Sequence, residues 1–240
     1  MHNPIPLSPE LLELLQNTDT CTISNAIETF NVRMRNEGYI QNGMRCIFPD
    51  LPPVVGYAVP GRIRTGAPPI ADLCYYQRTD FWEYLADFPS PKIMAFADVD
   101  HAPGTGAFVG EIHAEIAAAM GCVGYISNGA VRDVPALARK KFQCFAGSVS
   151  VSHSYAHIVD FGEPIHLGCL KISPGDLLHC DQHGVLSIPR EVVDGLPEAV
   201  RAVREREAQL IRLCRSADFS VEKLVALLEN KDSCSTQNRT

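Results

Sequence analysis

The sequence predicts a mixed α/β fold, on three observations. Short apolar runs of the kind that form buried strands alternate with segments that have helical spacing. The middle of the chain repeats the order strand, helix, strand, helix, which is typical of crossover connections between parallel strands. The 240 residues, 46% hydrophobic and 20% charged, match a globular protein and exclude collagen, coiled coil and disorder.

The N-terminal part is predicted to be helical first and extended later. Ser8 is a suitable N-cap for a helix with leucines at helical spacing, and residues 22–30 predict a second short helix. Prolines, glycines and β-branched residues over 46–65 predict strands broken by turns. Helical character returns at residues 75–85, and the apolar run 92–99 predicts a buried strand.

The central part contains the predicted crossover units. A glycine-bearing loop leads to an alanine-rich helix that opens at Gly110-Glu111 and ends at Gly121. Residues 123–127 then predict a buried strand, and residues 128–133 a turn into the next helix.

The C-terminal part is predicted to be β first and helical later. Residues 145–152 alternate like a strand, and residues 177–188 predict a hairpin. Helices follow to about residue 230, and the polar tail 231–240 is predicted to be disordered. Because no linker interrupts the pattern, residues 1–230 are predicted to form a single domain.

Charge and cysteine content limit the function classes. The formal net charge of -7 disfavours a nucleic-acid partner, and no apolar run is long enough for a membrane span. The nine cysteines are an odd number without a C-x-x-C pair, which fits neither a disulfide framework nor a structural zinc module. We therefore expect a reduced, cytoplasmic protein with no nucleic-acid or membrane partner.

An acidic residue and an Arg-Asp doublet stand at the two ends of one predicted strand-helix-strand unit. A crossover would bring Glu111, at the helix start, and Arg132-Asp133, after the next strand, to the same sheet edge. The backbone amides of Ile112 and His113 could hold a carboxylate there. Paired carboxylates suit Mg²⁺ or Mn²⁺, and an arginine suits a carboxylate or a developing enolate oxygen. The alternative interpretation is a capping or surface ion pair.

The same segment resembles the signature of the RraA-like family, which contains class II 4-hydroxy-4-methyl-2-oxoglutarate aldolases and the regulator of ribonuclease E activity. The family pattern is an acidic residue, twenty residues and then Arg-Asp, as from Glu111 to Arg132-Asp133. The sequence departs from the pattern in having Glu111 where the characterised aldolases have aspartate, and Asn25 where aspartate is common. The resemblance extends over about residues 8–230. Further similar segments are residues 54–58, residues 174–176, Asp181 and Gly184-Val185.

The resemblance implies a layered αββα sandwich of the swivelling phosphohistidine-domain type, assembled as a homotrimer or a dimer of trimers. Asp133 would bind the divalent metal directly, and Glu111 would reach it through water. Arg132 would contact the ketone and carboxylate oxygens of a pyruvate unit, and the amides of Ile112 and His113 would bind the same carboxylate.

The implied function is a Mg²⁺- or Mn²⁺-dependent lyase on small 2-oxo acids. It would cleave 4-hydroxy-2-oxo acids to pyruvate, decarboxylate oxaloacetate, or do both, through a pyruvate enolate. The alternative is a non-catalytic regulatory binding protein, since the family also contains a regulator of ribonuclease E.

A third carboxylate, Glu207, falls inside an apolar stripe at helical spacing near the C-terminus. Burying it would be costly without a partner. One interpretation is a solvated side chain or a pair with an arginine such as Arg204. The other, implied by the resemblance, is a catalytic glutamate that crosses a subunit boundary into a neighbour's site.

Several histidines could suggest further sites. His179, Cys180, Asp181 and His183 look like metal ligands, but strand neighbours point to opposite faces, so the four cannot all bind one ion and zinc is disfavoured there.

Four other histidines have open roles. His153 and His157 either line the substrate pocket or serve in packing and solvent contact, whereas His101 and His113 flank the proposed anion site. A proton-transfer role for His113 is one possibility.

Overall fold

The computed structural model describes residues 4–69 and 78–229. Its helices are α1 (Pro9–Gln16), α2 (Thr20–Glu28), α3 (Arg78–Ala86), α4 (Glu111–Ala119), α5 (Val134–Lys140), a 3-10 helix (Arg190–Val192), α6 (Leu196–Arg215) and α7 (Val221–Glu229). Its strands are β1 (Arg45–Cys46), β2 (Val54–Arg64), β3 (Lys92–Asp98), β4 (Ala107–Val109), β5 (Cys122–Val131), β6 (Gln143–Val149), β7 (His157–Phe161), β8 (Ile165–Leu167), β9 (Leu170–Ile172), β10 (Leu177–Asp181) and β11 (Gly184–Ile188). The start of the helix predicted at 75–85 and the tail predicted to be disordered lie outside the described residues.

The two N-terminal helices begin at side-chain caps. The Ser8 hydroxyl accepts a hydrogen bond from Leu11 N at 3.2 Å, as the sequence predicted, and proline occupies the first helical turn. Asp19 caps α2 by accepting from Thr22 N at 2.9 Å. This cap places the start of α2 two residues before the predicted one.

The crossover units form a parallel centre in a nine-stranded sheet. Its main order is β1-β6-β5-β3-β2-β10-β11, with β4 paired to β5 and β7 paired to β2. Strands β2, β3, β5 and β6 are parallel neighbours, which confirms the predicted crossovers. The C-terminal hairpin β10–β11 is also confirmed, and it joins the sheet through antiparallel pairing with β2.

Alternating side chains of the central strands separate the cores. In β3, Met94 and Phe96 pack in a core with α3, α4 and α5. Ile93 and Ala95 point the other way, into a core shared with β8–β11. A third core lies between β10–β11 and the helices α1, α2 and α6. These layers confirm the expected α/β sandwich of αββα order, but one folded sheet and the β8–β9 ribbon supply both β layers.

Strand β5 is longer than predicted, which corrects the predicted turn at residues 128–133. The strand continues through Val131 because β4 and β6 pair with its second half. The β5–β6 register has an irregularity between Ser127 and Ala130. On the β3 side of β5, the Asn128 side chain accepts from Asp98 N at 2.8 Å and donates to Asp98 O at 2.9 Å. Arg132 and Asp133 therefore follow a long strand directly.

The remaining differences are smaller. Residues 54–64 form one strand instead of several, and β6 ends at Val149, before the predicted 152. In the two described ranges, no helix is long and apolar enough to cross a membrane.

Candidate active site

The end of β5 and the start of α4 meet in one cleft. The Asp133 carboxylate oxygen Oδ2 accepts a hydrogen bond from Glu111 N at 3.0 Å, and Arg132 Nε lies 3.6 Å from the same oxygen. Arg132 N donates to Val109 O at 3.0 Å, which ties the doublet to β4. The predicted juxtaposition of Glu111 with Arg132-Asp133 is present, while the roles assigned to these residues stay predictions.

Two backbone features create this geometry. Asp133 has left-handed dihedral angles, φ 55° and ψ 36°, which an aspartate tolerates better than most residues. Gly110 leaves the space that the doublet needs, because a Cβ there would lie 2.5 Å from Asp133 Oδ2 and 2.9 Å from Arg132 Cγ. The cleft therefore depends on a glycine at this position.

Helix α4 opens into the cleft. Ala114 makes a main-chain hydrogen bond of 3.0 Å to Gly110 O, so the amides of Ile112 and His113 precede the regular ladder of the helix. Asp133 already places a carboxylate oxygen at this helix start. The anionic group at this helix start is thus a side chain of the protein itself, bound through Glu111 N. The binding of a carboxylate by the amides of Ile112 and His113 stays a prediction.

The Glu111 carboxylate is turned toward α5. One of its oxygens lies 3.9 Å from an Arg139 guanidinium nitrogen, and both side chains are largely exposed. An exposed ion pair of this length contributes little and does not fix the carboxylate. In the structure only the backbone of Glu111 contacts Asp133.

A cavity of about 430 Å³ lies beside the cleft. Two of its residues, His113 and Arg132, are predicted site residues. Its lining is Pro69, Ala107, Phe108, His113, Arg132, His153, Ser154, Tyr155, Ala156 and His157. The predicted pocket histidines therefore separate: His113, His153 and His157 line the cavity, whereas His101 is not part of this lining and is exposed.

The segment from His153 to His157 forms a wall that sequence reasoning largely missed. The Nδ1 atoms of these two histidines lie 2.7 Å from the carbonyl oxygens of Ser154 and Tyr155, respectively. A carbonyl only accepts hydrogen bonds, so both Nδ1 atoms carry the hydrogen, and Nε2 is the acceptor of each neutral ring. The three serines, His153 and Tyr155 between strands β6 and β7 were the available signal.

His113, another cavity residue, packs against two aromatic side chains. The His113 ring lies 5.4 Å from the Phe108 ring and 6.1 Å from the Trp82 ring, measured between centroids. This packing restricts the imidazole to the cavity side of α4.

Two acidic side chains, the buried Asp98 and the partly buried Asp100, accept hydrogen bonds from nearby backbone amides. Asp98 Oδ2 accepts from Gly104 N at 2.8 Å, and Asp100 Oδ2 accepts from Thr65 N at 2.6 Å. Burial opposes ionisation of Asp100, but backbone hydrogen bonds and the nearby Arg64 and His157 outweigh burial and lower its pKa.

Glu207 lies in another layer of the molecule. It accepts a hydrogen bond of 3.2 Å from Asn25 Nδ2, while Arg204 bonds instead to Asn17 O at 2.6 Å. Helix α6 packs in the core of α1 and α2, whereas α4 and α5 pack on the other side of the sheet. The pair with Arg204 is therefore not present, and Glu207 does not reach the cleft of its own chain.

The cleft has a donor set that suits a hard divalent cation. The side chains of Asp133 and Glu111 are 41% and 57% exposed, so their carboxylate oxygens are accessible from solvent. Mg²⁺ is commonly held by one or two carboxylates while it keeps several waters. The residues present therefore fit such an ion.

Comparison with protein families decides the relationship. The family model of RraA-like proteins, described as Aldolase/RraA, matches residues 20–187. The chain belongs to the RraA-like family. The matched span contains Glu111, Arg132 and Asp133 but ends before Glu207.

A curated relative from Halalkalibacterium halodurans carries the name "Putative 4-hydroxy-4-methyl-2-oxoglutarate aldolase". It is 32% identical to this RraA-like chain over 87 residues, which cover 36% of the chain. The match spans about two fifths of that relative's length, 41%.

Solved structures agree on the fold. An uncharacterized protein from Pseudomonas syringae has a TM-score of 0.72 at 20% identity, over 93% of this chain and 96% of that one. RraAS2 of Streptomyces coelicolor, described as an unusual member of the RNase ES inhibitor RraA protein family, has a TM-score of 0.67 at 18% identity, over 86% of this chain and 100% of that one. At these identities the similarity establishes the fold alone.

Proposed function

We propose that this RraA-like protein is a divalent-metal-dependent lyase that releases pyruvate from small 2-oxo acids in the cytoplasm. Its substrates are 4-hydroxy-2-oxo acids, oxaloacetate or both. The observation that carries the proposal is the shared cleft, in which Asp133 binds the start of α4 and Arg132 borders the adjoining cavity. Membership of the family and the named relative from Halalkalibacterium halodurans support the same chemistry.

Arg132 has the central role in this proposal. Its planar guanidinium donates two parallel hydrogen bonds, which match the 2-oxo and carboxylate oxygens of a pyruvate unit. When the bond beyond C3 breaks, negative charge develops on the 2-oxo oxygen, and a fixed cation beside that oxygen stabilises the enolate. The amides of Ile112 and His113 bind the carboxylate end of the same unit.

Asp133 and Glu111 would hold Mg²⁺ or Mn²⁺, Asp133 directly and Glu111 through water. A divalent cation supplies Lewis-acid stabilisation of the developing enolate charge. The glutamate at position 111 is one methylene longer than the usual aspartate, which alters how a metal-bound water would be held.

The cavity beside Arg132 accommodates the half of the substrate that leaves. Its volume of about 430 Å³ is that of a small-molecule site. Neutral imidazoles with Nδ1 bound to carbonyls offer Nε2 as a hydrogen-bond acceptor, which is the partner that a 4-hydroxyl group requires.

The test is a pyruvate assay with Mg²⁺ or Mn²⁺ on oxaloacetate and a panel of 4-hydroxy-2-oxo acids that includes 4-hydroxy-4-methyl-2-oxoglutarate. We expect pyruvate release that a chelator abolishes. Because free metal ions also decarboxylate oxaloacetate, the controls are metal without protein and metal with the Asp133→Asn variant. If neither substrate class yields pyruvate above these controls, the non-catalytic binding role replaces the lyase.

We further propose that the protein works as a homotrimer or a dimer of trimers, with Glu207 acting in a neighbour's cleft. Apolar side chains around the cleft are solvent-exposed in the single chain, with Ile112 71% and Val151 99% accessible. Beyond the packed N-terminal part of α6, the chain carries further exposed apolar side chains: Phe219 between α6 and α7, and Val221, Val225 and Leu228 in α7.

Subunit complementation tests the action of Glu207 in trans. Asp133→Asn and Glu207→Gln proteins are each expected to be inactive, but mixed trimers combine an intact Asp133 with a neighbour's intact Glu207. Dissociating and reassembling the two variants together should restore part of the activity. Full turnover by Glu207→Gln alone, or a monomer in light scattering, would contradict the proposal.

A further inference from the structure

A second group of metal-binding side chains lies at the start of α2, away from the Arg132 cleft. Asp19, Cys21 and His183 each present a ligand atom, and these atoms all lie within 4.8 Å of one another. All three side chains belong to exposed residues, so an ion can reach them from solvent. We propose that Asp19, Cys21 and His183 form a binding site for a divalent transition-metal ion of the zinc type.

One buried carboxylate holds the two elements that carry these ligands together. Asp181, at the end of β10 and 4% exposed, accepts from Thr20 N through Oδ2 at 2.8 Å. Its other oxygen, Oδ1, accepts from His183 N at 2.8 Å. Asp181 therefore fixes the hairpin turn that carries His183 against the helix start that carries Asp19 and Cys21.

The same carboxylate orients the His183 ring. His183 Nδ1 lies 3.1 Å from Asp181 Oδ1, and a carboxylate only accepts hydrogen bonds, so Nδ1 carries the hydrogen. The neutral ring then has its lone pair on Nε2, which is the form that binds a metal. A histidine that donates its second nitrogen to a carboxylate is the usual arrangement around zinc.

The Asp19 side chain is oriented by its role as a helix cap. Its Oδ1 accepts from Thr22 N at 2.9 Å, and its Oδ2 accepts from Thr22 Oγ1 at 2.6 Å. Each carboxylate oxygen has two acceptor positions, so both oxygens keep one for a metal ion. The cap and the metal bond are therefore compatible.

The donor set selects the class of metal. A thiolate, an imidazole and a carboxylate together favour zinc over Mg²⁺ or Ca²⁺, which take oxygen ligands. Three protein ligands leave the fourth tetrahedral position to water. On binding, the Cys21 thiol loses its proton to solvent and the sulfur bonds to the ion, with no change in oxidation state.

The negative surroundings of the site also favour a cation. The Asp19 carboxylate lies beside the Cys21 thiol, and Asp181 Oδ2 accepts at 2.8 Å from the backbone N of the preceding residue, Thr20. A divalent ion would neutralise this charge.

The site is chemically distinct from the cleft, whose proposed ligands, Asp133 and Glu111, are oxygen donors. It lies where α2 meets β10–β11, while the cleft belongs to the layer of α4 and α5. Because only this site offers sulfur, a spectroscopic signal from a thiolate separates the two.

Titration of the chelator-treated full chain with Co²⁺, followed by competition with Zn²⁺, tests the proposal. We expect one equivalent of Co²⁺ to produce a thiolate-to-metal charge-transfer band in the near ultraviolet, and Zn²⁺ to remove it. Cys21→Ser should abolish the band, whereas Cys169→Ser and Cys214→Ser, at two other exposed and free thiols, should keep it.

The remaining ligand and positioning residues give graded effects. His183→Ala should weaken Co²⁺ binding so far that the band is not detected. Asp19→Asn should also weaken Co²⁺ binding, because it removes the charge of this ligand while keeping the oxygen that caps α2. Asp181→Asn should weaken Co²⁺ affinity about 10–100-fold, as loss of such an outer partner does elsewhere. Absence of a band in the wild-type protein, or a band that persists in Cys21→Ser, would overturn the proposal.

Discussion

The Arg132 cleft and the site at the α2 start share one construction principle but differ in sequence distance. In each, an aspartate at or just beyond the end of a strand accepts a hydrogen bond from the backbone at the beginning of a helix. Asp133 bonds Glu111 N across 22 positions, whereas Asp181 bonds Thr20 N across 161 positions. The first contact lies within one crossover unit, whose handedness is nearly invariant. The second requires the C-terminal hairpin to dock on the N-terminal helices, and no local rule dictates that docking.

The largest expected effect separates the two aspartates by function. Asp133→Asn should lower pyruvate release at least about 100-fold, because it weakens the metal ligand and the charge beside Arg132. Asp181→Asn should leave turnover within a factor of about two, because Asp181 is buried and its hydrogen-bond partners, Thr20 and His183, lie outside the cleft. Steady-state kinetics of both variants at saturating Mg²⁺ measure the contrast.

A reversal of this contrast would break the comparison. If Asp133→Asn keeps full turnover with normal folding by circular dichroism, the cleft is not a metal-dependent active site. If Asp181→Asn alone loses turnover, the α2 site contributes to the reaction.

Gly110→Ala tests how tightly the cleft is built. A methyl group at this position would lie 2.5 Å from Asp133 Oδ2, so Asp133 and Arg132 must move. We expect activity to fall about 100-fold, since displacement of catalytic groups by about 1 Å commonly costs that much. The backbone angle at Gly110 is φ -136°, which alanine adopts readily, so the unfolding temperature should change little.

The kinetic parameters of Gly110→Ala distinguish the cause. A lower kcat and higher KM with an intact fold indicate displaced Arg132 and Asp133. Unchanged kinetics would show that the doublet tolerates a shift, and that the close approach of Gly110 is incidental to function.

Asp181→Asn should have the larger effect on stability. The buried carboxylate accepts three hydrogen bonds, from Thr20 N, His183 N and His183 Nδ1. An asparagine replaces one acceptor oxygen with a donor, so we expect the free energy of unfolding to fall by about 2 kcal/mol. The matched control is Asp133→Asn at the more exposed cleft, where urea denaturation should give less than about 1 kcal/mol.

Equal losses for the two variants would contradict the claim that Asp181 fixes the hairpin to α2. A greater loss of unfolding free energy in Asp133→Asn would instead indicate that the left-handed turn after β5 contributes more to stability.

Local pattern predicted most of the fold, including the parallel order of the central strands. It failed at residues 128–131, where β5 continues by pairing with β4 and β6 and the Asn128 side chain takes the place of a backbone partner toward β3. At the candidate site, the crossover pattern predicted that Glu111 and Arg132-Asp133 come together, and the structure shows this contact. Sequence spacing did not predict the cavity wall around Tyr155, because the conformation of this loop depends on its contacts with β4 and on the serine turns.

The α2 site shows most directly what sequence patterns cannot predict. Strand geometry predicted that His179, Cys180, Asp181 and His183 cannot all bind one ion, since alternate side chains face opposite ways. The same reasoning could not bring His183 to Asp19 and Cys21, because those partners are about 160 residues away and no periodicity connects them.

The smallest expected effect is a pH dependence of stability at His179, which joins the same network. Burial, partly opposed by a hydrogen bond to Leu15 O and by the nearby Asp181, lowers the pKa of His179 below its usual value of 6.5. Below pH 6.5 the unfolded chain therefore binds a proton that the folded chain excludes, and the free energy of unfolding falls as the pH falls. Above pH 6.5 both states are neutral at this residue, and its contribution is fully present.

His179→Gln isolates this contribution, because glutamine can accept from Thr20 Oγ1 and donate to Leu15 O, as the neutral imidazole does at 2.9 Å in each case. The difference in unfolding free energy between wild type and variant should shrink as the pH is lowered from 7 through 6.5, by at most about 1.4 kcal/mol per pH unit. Urea denaturation at several pH values measures this difference, and histidines elsewhere cancel in it. If the unfolding free energies of the two proteins change in parallel with pH, His179 is protonated in the folded state. The Thr20 hydroxyl would then accept the hydrogen bond from the imidazolium.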